Sequence, residues 1–142
     1  MKLEYHAAFS LVCAGILYLA TRSLGLSLGF LVGGVLIDLD HLVDYVLSCR
    51  FRVGLMSFYE RCENRDLSHA VLLFHGWEYV AASFIIVVVS DWNVWIAGSW
   101  LGFTAHMICD QVTNKPYPLS YFITWRMVHG FRMKEVFPPV ER

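Results

Sequence analysis

The sequence predicts an all-α protein: an up-down bundle of four membrane-spanning helices, with a polar cytoplasmic loop and an amphipathic C-terminal helix lying at the membrane surface. Three observations carry that prediction. Of the 142 residues, 57% are apolar and only 16% are charged, whereas an average soluble domain has about 25% charged residues. The apolar residues gather into four runs separated by polar breaks. Gly25, Gly29 and Gly33, and again Gly98 and Gly102, recur at a spacing of four, which puts each set on one helix face and suits close packing of membrane helices. The length fits a single domain over residues 1–142.

The first helix is expected from Glu4 to Thr21 and the second from Ser23 to Ile37. Both are short for a span, which needs about 20 apolar residues, and reach across only with their polar ends or in a locally thin bilayer. Met1–Arg22 has some features of a signal peptide, but Glu4 and His6 stand in its polar start and no clear A-x-A site follows, so it is expected to be retained. Arg50–Asp66 forms a polar segment. The third helix is expected from Ser68 to Val89 and the fourth from Trp92 to Val112, with Asn114–Pro118 as a stop and turn. The tail mixes Tyr121, Phe122, Trp125 and Phe131 with Arg126, Arg132 and Lys134. That mixture reads as an interfacial helix within residues 117–142, or as a helix packed on the protein's own loops.

Charge sets the orientation. In an alternating bundle the far-side loops are Arg22–Ser23 and Ser90–Asn93, so every Lys and Arg except Arg22 lies on the near side. Short loops rich in Lys and Arg stay in the cytoplasm. A net charge of −1 without a basic tract gives no reason to expect a nucleic-acid partner. Cys13, Cys49, Cys62 and Cys109 have no C-x-x-C spacing, which argues against a cysteine zinc site or redox motif.

The ionisable residues converge on that map. His6 opens the first helix; Asp38, Asp40, His41 and Asp44 follow the second; His69, His75 and Glu78 open the third; His106 and Asp110 end the fourth. Start, end, start, end is one side of an up-down bundle. His106 and Asp110, four apart, share a helix face, and burying such groups is costly without a partner. Imidazole and carboxylate together suit zinc, manganese or iron, and a metal-bound water is acidified enough to act as a nucleophile. The expected ligands of one or two divalent ions, zinc favoured over manganese or iron, are His6, Asp38, His41, His69, His106 and Asp110, with His75 as an additional candidate. Asp40, Asp44 and Glu78 are the candidate general acids or bases, and Arg65 the candidate for balancing substrate charge. Carboxylates accompany nearly every histidine, which argues against haem. His129, in the tail, is expected at the surface.

These residues resemble a known family. Gly33-Gly34-Val35-Leu36-Ile37-Asp38-Leu39-Asp40-His41 resembles the "G-x-L-x-P-D-x-D-H" segment of the predicted membrane-bound metal-dependent hydrolases of the LexA-regulated inner-membrane type. Asn64-Arg65-Asp66-Leu67-Ser68-His69-Ala70 resembles their "H-R-x-x-T-H-S" segment, and Leu101 to Thr113 their "L-G-x-x-x-H-x-x-x-D-x-x-T" segment. Ile37 stands where the family commonly has Pro and Asn64 where it has His; the tail from Tyr117 is not covered. The ligand set is also similar to that of zinc-dependent phospholipases C and single-strand-specific zinc nucleases. What the resemblance implies is a metal-dependent hydrolase of phosphate esters. At headgroup depth on the cytoplasmic face of a bacterial inner membrane, such a site suits a phospholipid or lipid-linked phosphate. The alternatives are a non-enzymatic membrane metal-binding protein and a structural or interaction protein.

Overall fold

The computed structural model describes residues 3–49 and 69–138, with the side chains of Leu3 and of Leu47 to Cys49 excepted. The described residues are mostly helical, with a single isolated bridge between His69 and Arg132 and no strands. In chain order the elements are α1 (Leu3–Thr21), α2 (Leu24–Leu36), a 3-10 turn (Ile37–Leu39), α3 (Asp40–Cys49), α4 (Trp77–Val89), α5 (Val94–Thr113), α6 (Ile123–Val128) and α7 (Met133–Val136).

The spine is α2 against α5, and glycine makes it possible. A Cβ at Gly33 would collide with the backbone oxygen of Ser99, one at Gly98 with that of Leu26, and one at Gly102 with that of Phe30. The helices therefore meet backbone to backbone, as small residues allow. Helix α1 packs on α2, where the Ser10 hydroxyl donates to the Gly34 carbonyl at 3.3 Å. Helix α4 packs on α5, where Trp100 Nε1 donates to the Val80 carbonyl at 3.0 Å and its ring lies 5.0 Å from that of Phe84. Two caps set the entries: Ser23 Oγ accepts from Leu26 N, and Asn93 Oδ1 accepts from Trp95 N and Ile96 N.

The second helix ends close to the expected Ile37: it tightens into the 3-10 turn and restarts as α3. Two expectations are corrected. The third helix begins at Trp77, not Ser68. Residues ahead of it have their amides claimed from a distance, since Asp44 accepts from Val71 N and Leu72 N, and Asp40 accepts from Phe74 N. Leu72 has φ +45 and Gly76 is extended, so no helix can pass through them. The tail is not one interfacial helix but two short ones folded back on the protein. Tyr121 and Val136 join Ile37, Ala70, Leu72, Val80 and Met107 in the core.

Among the described residues, one helical stretch, Leu24–Val46, is long and apolar enough to cross a membrane; α4 is apolar but shorter. The bundle is all-α as expected, and four spans are not established.

Candidate metal centre

The α2–α5 seam ends where the polar residues begin. Asp38 lies on the turn that closes α2, and His106 and Asp110 on the last turns of α5. His6, the fourth residue of α1, reaches in from one side; His41 from α3 and His75 from the loop before α4 come from the other. His6 Nε2 lies 2.8 Å from Asp110 Oδ1. His41 Nε2 is 3.5 Å and His75 Nε2 3.6 Å from Asp38 Oδ1. His75 Nε2 is also 3.4 Å from Asp110 Oδ2. His106 Nε2 is 3.3 Å from Asp38 Oδ1 and 3.8 Å from Asp110 Oδ2.

Two of these rings are fixed from behind. His106 Nδ1 donates to the Gly34 carbonyl at 2.8 Å, and His75 Nδ1 donates to Asp40 Oδ2 at 2.9 Å. With each Nδ1 carrying its hydrogen, a neutral ring presents an Nε2 lone pair inward. Both Nε2 atoms are buried without a hydrogen-bond partner, and each faces carboxylate oxygen, lone pair to lone pair wherever its ring is neutral. That arrangement is unfavourable unless something positive lies between. The spacings of 3.3–3.8 Å match atoms sharing one ion: bonds of 2.0–2.1 Å put tetrahedral ligands about 3.3 Å apart. Two triplets have ligand atoms within 4.8 Å of one another: His6, His106 and Asp110, and Asp38, His41 and His75. These buried His/Asp groups could hold a metal ion, and the carboxylate behind His75 is the support that metal-ligating histidines usually have.

A proton on His75 is the other charge that could lie between these groups. Asp38, Asp40 and Asp110 are all at most 8% exposed. Burial alone would discharge His75, but the carboxylates of Asp110, Asp38 and Asp40 override it and hold the imidazole well above its usual range. One proton there offsets one carboxylate and still leaves His106 Nε2 unanswered. Tyr121, raised well above the usual phenol range by burial and by the charge of Asp110, stays protonated and donates to Asp110 Oδ2 at 3.2 Å. Asn114 Nδ2 donates to Asp110 Oδ1 at 2.8 Å.

Of the expected ligands, His6, Asp38, His41, His106 and Asp110 meet here, and His75, expected only as an addition, sits between both carboxylates. His69 does not join them: it is exposed and bridges to Arg132. The acid–base candidates fare differently. Asp40 orients His75. Both oxygens of Asp44 accept loop amides, and both oxygens of Glu78 accept from Ile123 N and from Thr124 N and Oγ1 at the start of α6. Asp44 and Glu78 are thus engaged as acceptors that tie loop and tail backbone to the helices. Arg65 lies outside the described residues. His129 stacks on Trp125 at 3.7 Å, half-buried.

Sequence reasoning missed Arg126. It is fully buried, and its guanidinium donates to the carbonyls of His75 (2.7 Å), Leu72 (3.0 Å) and Ser120 (3.2 Å). It clamps the loop carrying His75 to the tail. Burial lowers its pKa, and Asp40, Glu78 and Asp44 work to retain the charge. An arginine amid tail aromatics gave no sign of this, because its partners are backbone carbonyls distant in sequence.

No protein-family model, no curated protein and no solved structure matches the chain.

Proposed function

We propose that this protein is a membrane-embedded, metal-dependent hydrolase of phosphate esters, acting on a phospholipid or lipid-linked phosphate at the cytoplasmic face of a bacterial inner membrane. The observation that carries the reading is the pair of buried Nε2 atoms, on His75 and His106, without hydrogen-bond partners and set among the carboxylates of Asp38 and Asp110. His6, Asp38, His41, His75, His106 and Asp110 would hold one or two ions, zinc being favoured by the mixed nitrogen and oxygen set. When bound, the ion would acidify a water and polarise a phosphoryl oxygen.

The chain's own residues supply the rest. Asp40 and the Gly34 carbonyl fix the two imidazoles. Tyr121 and Asn114 hold Asp110. The His41 side chain, 31% exposed against at most 7% for its partners, marks the side from which substrate reaches the cluster. Membrane embedding is supported by apolar side chains open to the outside along α1 and α4, including Leu11, Val12, Ile16, Leu19, Ile85 and Val89, a density that water disfavours. The sequence resemblance supports the reaction class.

A second reading, a non-catalytic metal-binding membrane protein, draws on the same burial: six protein ligands around one ion would leave no position for substrate. Elemental analysis of protein purified without chelators, alongside His106→Ala and Asp110→Ala, tests the shared claim. Stoichiometric metal in wild type and its loss in both variants is expected; a metal-free wild type overturns both readings. Turnover of a phosphodiester lipid by the loaded protein, absent from both variants, then selects the hydrolase.

A further inference from the structure

An apolar groove of about 370 Å³ runs between α2, α4 and α5, lined by Gly33, Ile86, Ile96, Trp100 and Phe103 among others. We infer that this groove holds one acyl chain of a bilayer lipid whose phosphate-bearing head lies at the His/Asp cluster. The inference rests on the proposed function and names the class of its substrate.

Three observations carry it. The first is continuity with the cluster. Ile37 and Phe74 line the groove, and the next residue after each is a cluster member, Asp38 and His75. Phe74 N is itself bonded to Asp40 at 2.8 Å. The groove therefore leads from the ligand-bearing turn and loop along the helices, as a chain leads away from its headgroup. The second is chemistry. Three polar groups on its walls are already engaged: Ser83 Oγ donates to the Tyr79 carbonyl at 2.6 Å, Ser99 Oγ to the Trp95 carbonyl at 2.9 Å, and Trp100 Nε1 to the Val80 carbonyl at 3.0 Å. A wholly apolar occupant asks nothing further of them. The third is size and access. The volume is at the small end of ligand pockets, about 300–1,000 Å³. It would take on the order of ten methylene groups if each fills roughly the volume of a water, ~30 Å³: one chain, not two. Ile86 is 58% exposed, so the groove opens sideways onto the apolar face of α4, where lipid would enter without leaving the bilayer.

The test is photolabelling of the full-length, metal-replete protein in phospholipid nanodiscs with dodecyl phosphate carrying a mid-chain diazirine, followed by mass-spectrometric mapping. Adducts are expected to concentrate on Ile86, Ile96 and Phe103. Unlabelled dodecyl phosphate should compete them away and dodecanol should not. Ser83→Phe, which fills the groove and leaves no polar group unpaired, should lose the groove adducts and keep those on the outer faces at Leu19 and Val89; Ile86→Trp, at a more open position, serves as a second narrowing variant. Adducts as dense at Leu19 and Val89 as in the groove overturn the inference, as do equal competition by dodecanol or protein–protein adducts alone. Metal content is read on the same sample. Stoichiometric metal without groove adducts overturns this inference and leaves the hydrolase reading standing; groove adducts without metal overturn the hydrolase reading and, with it, the placement of the headgroup, leaving only a chain-binding groove.

Discussion

The His6 ring lies face to face with that of His106, centroids 4.2 Å apart and planes inclined by 19°. Helix α1 otherwise packs chiefly on α2 and touches α5 only slightly, so this stack and the His6–Asp110 contact are what bring the opening helix into the cluster. His6→Phe should keep the stacked ring and remove the nitrogen. The fold should survive, measured as an unchanged helical circular dichroism spectrum, while bound metal falls. Full metal retention in His6→Phe would show that His6 serves packing alone.

Asp40 acts through His75. Asp40→Asn keeps its shape and an acceptor for one amide but removes the charge behind the imidazole. Losing such a support typically weakens metal binding about 10- to 100-fold. Competition with a chromophoric chelator measures this, and an unchanged affinity would place His75 outside the ligand set.

Arg126 ties three carbonyls at once. Arg126→Met should destabilise the protein by about 3 kcal/mol, the scale of charge-assisted bonds lost from buried acceptors. Arg126→Lys should recover only part of it, because an ammonium cannot span the fork. Denaturant unfolding in detergent reads both.

Both oxygens of Asp44 and of Glu78 accept from backbone amides. Glu78→Gln should therefore cost about 1 kcal/mol of stability, as for a lost helix cap, and leave turnover per folded molecule intact. A loss of turnover without a loss of stability would restore Glu78 as an acid–base candidate.

Gly102→Ala would press a methyl group onto the Phe30 carbonyl. Strain of about 1–3 kcal/mol or more is expected, with metal lost alongside, because the same seam positions His106. Gly15→Ala meets nothing within 4 Å and should stabilise α1 by about 0.5–1 kcal/mol. Thermal unfolding of the pair separates glycine as a packing device from glycine as a helix weakener.

The legible part of this protein was whatever repeats locally. The apolar runs gave the helices α1, α2 and α5 to within a few residues, and the four-residue spacing of Gly98, Gly102, His106 and Asp110 announced a close contact that opens into a polar site. The convergence of His6, Asp38, His41 and His106 followed from counting helix ends. What failed was set at long range. The start of the third helix depends on carboxylates of α3 capturing the amides of Val71, Leu72 and Phe74, so the local pattern favours His69 as a ligand and offers His75 only as an addition. The tail's fate depends on Arg126 finding carbonyls that no periodicity marks. An amphipathic pattern reports that one face is covered, without saying by what.

The glycine seam joins the turn bearing Asp38 to the helix bearing His106 and Asp110 through main-chain contact. Side chains can change rotamer when an ion arrives or leaves; two backbones in register cannot slide without breaking many contacts together. Asp38, His106 and Asp110, half of the six candidate ligands, are therefore held in place before any ion would bind, which lowers the conformational entropy that binding would cost. Apo and loaded forms should superimpose along α2 and α5, with whatever adjustment binding requires confined to His41, His75 and the segment that Arg126 anchors.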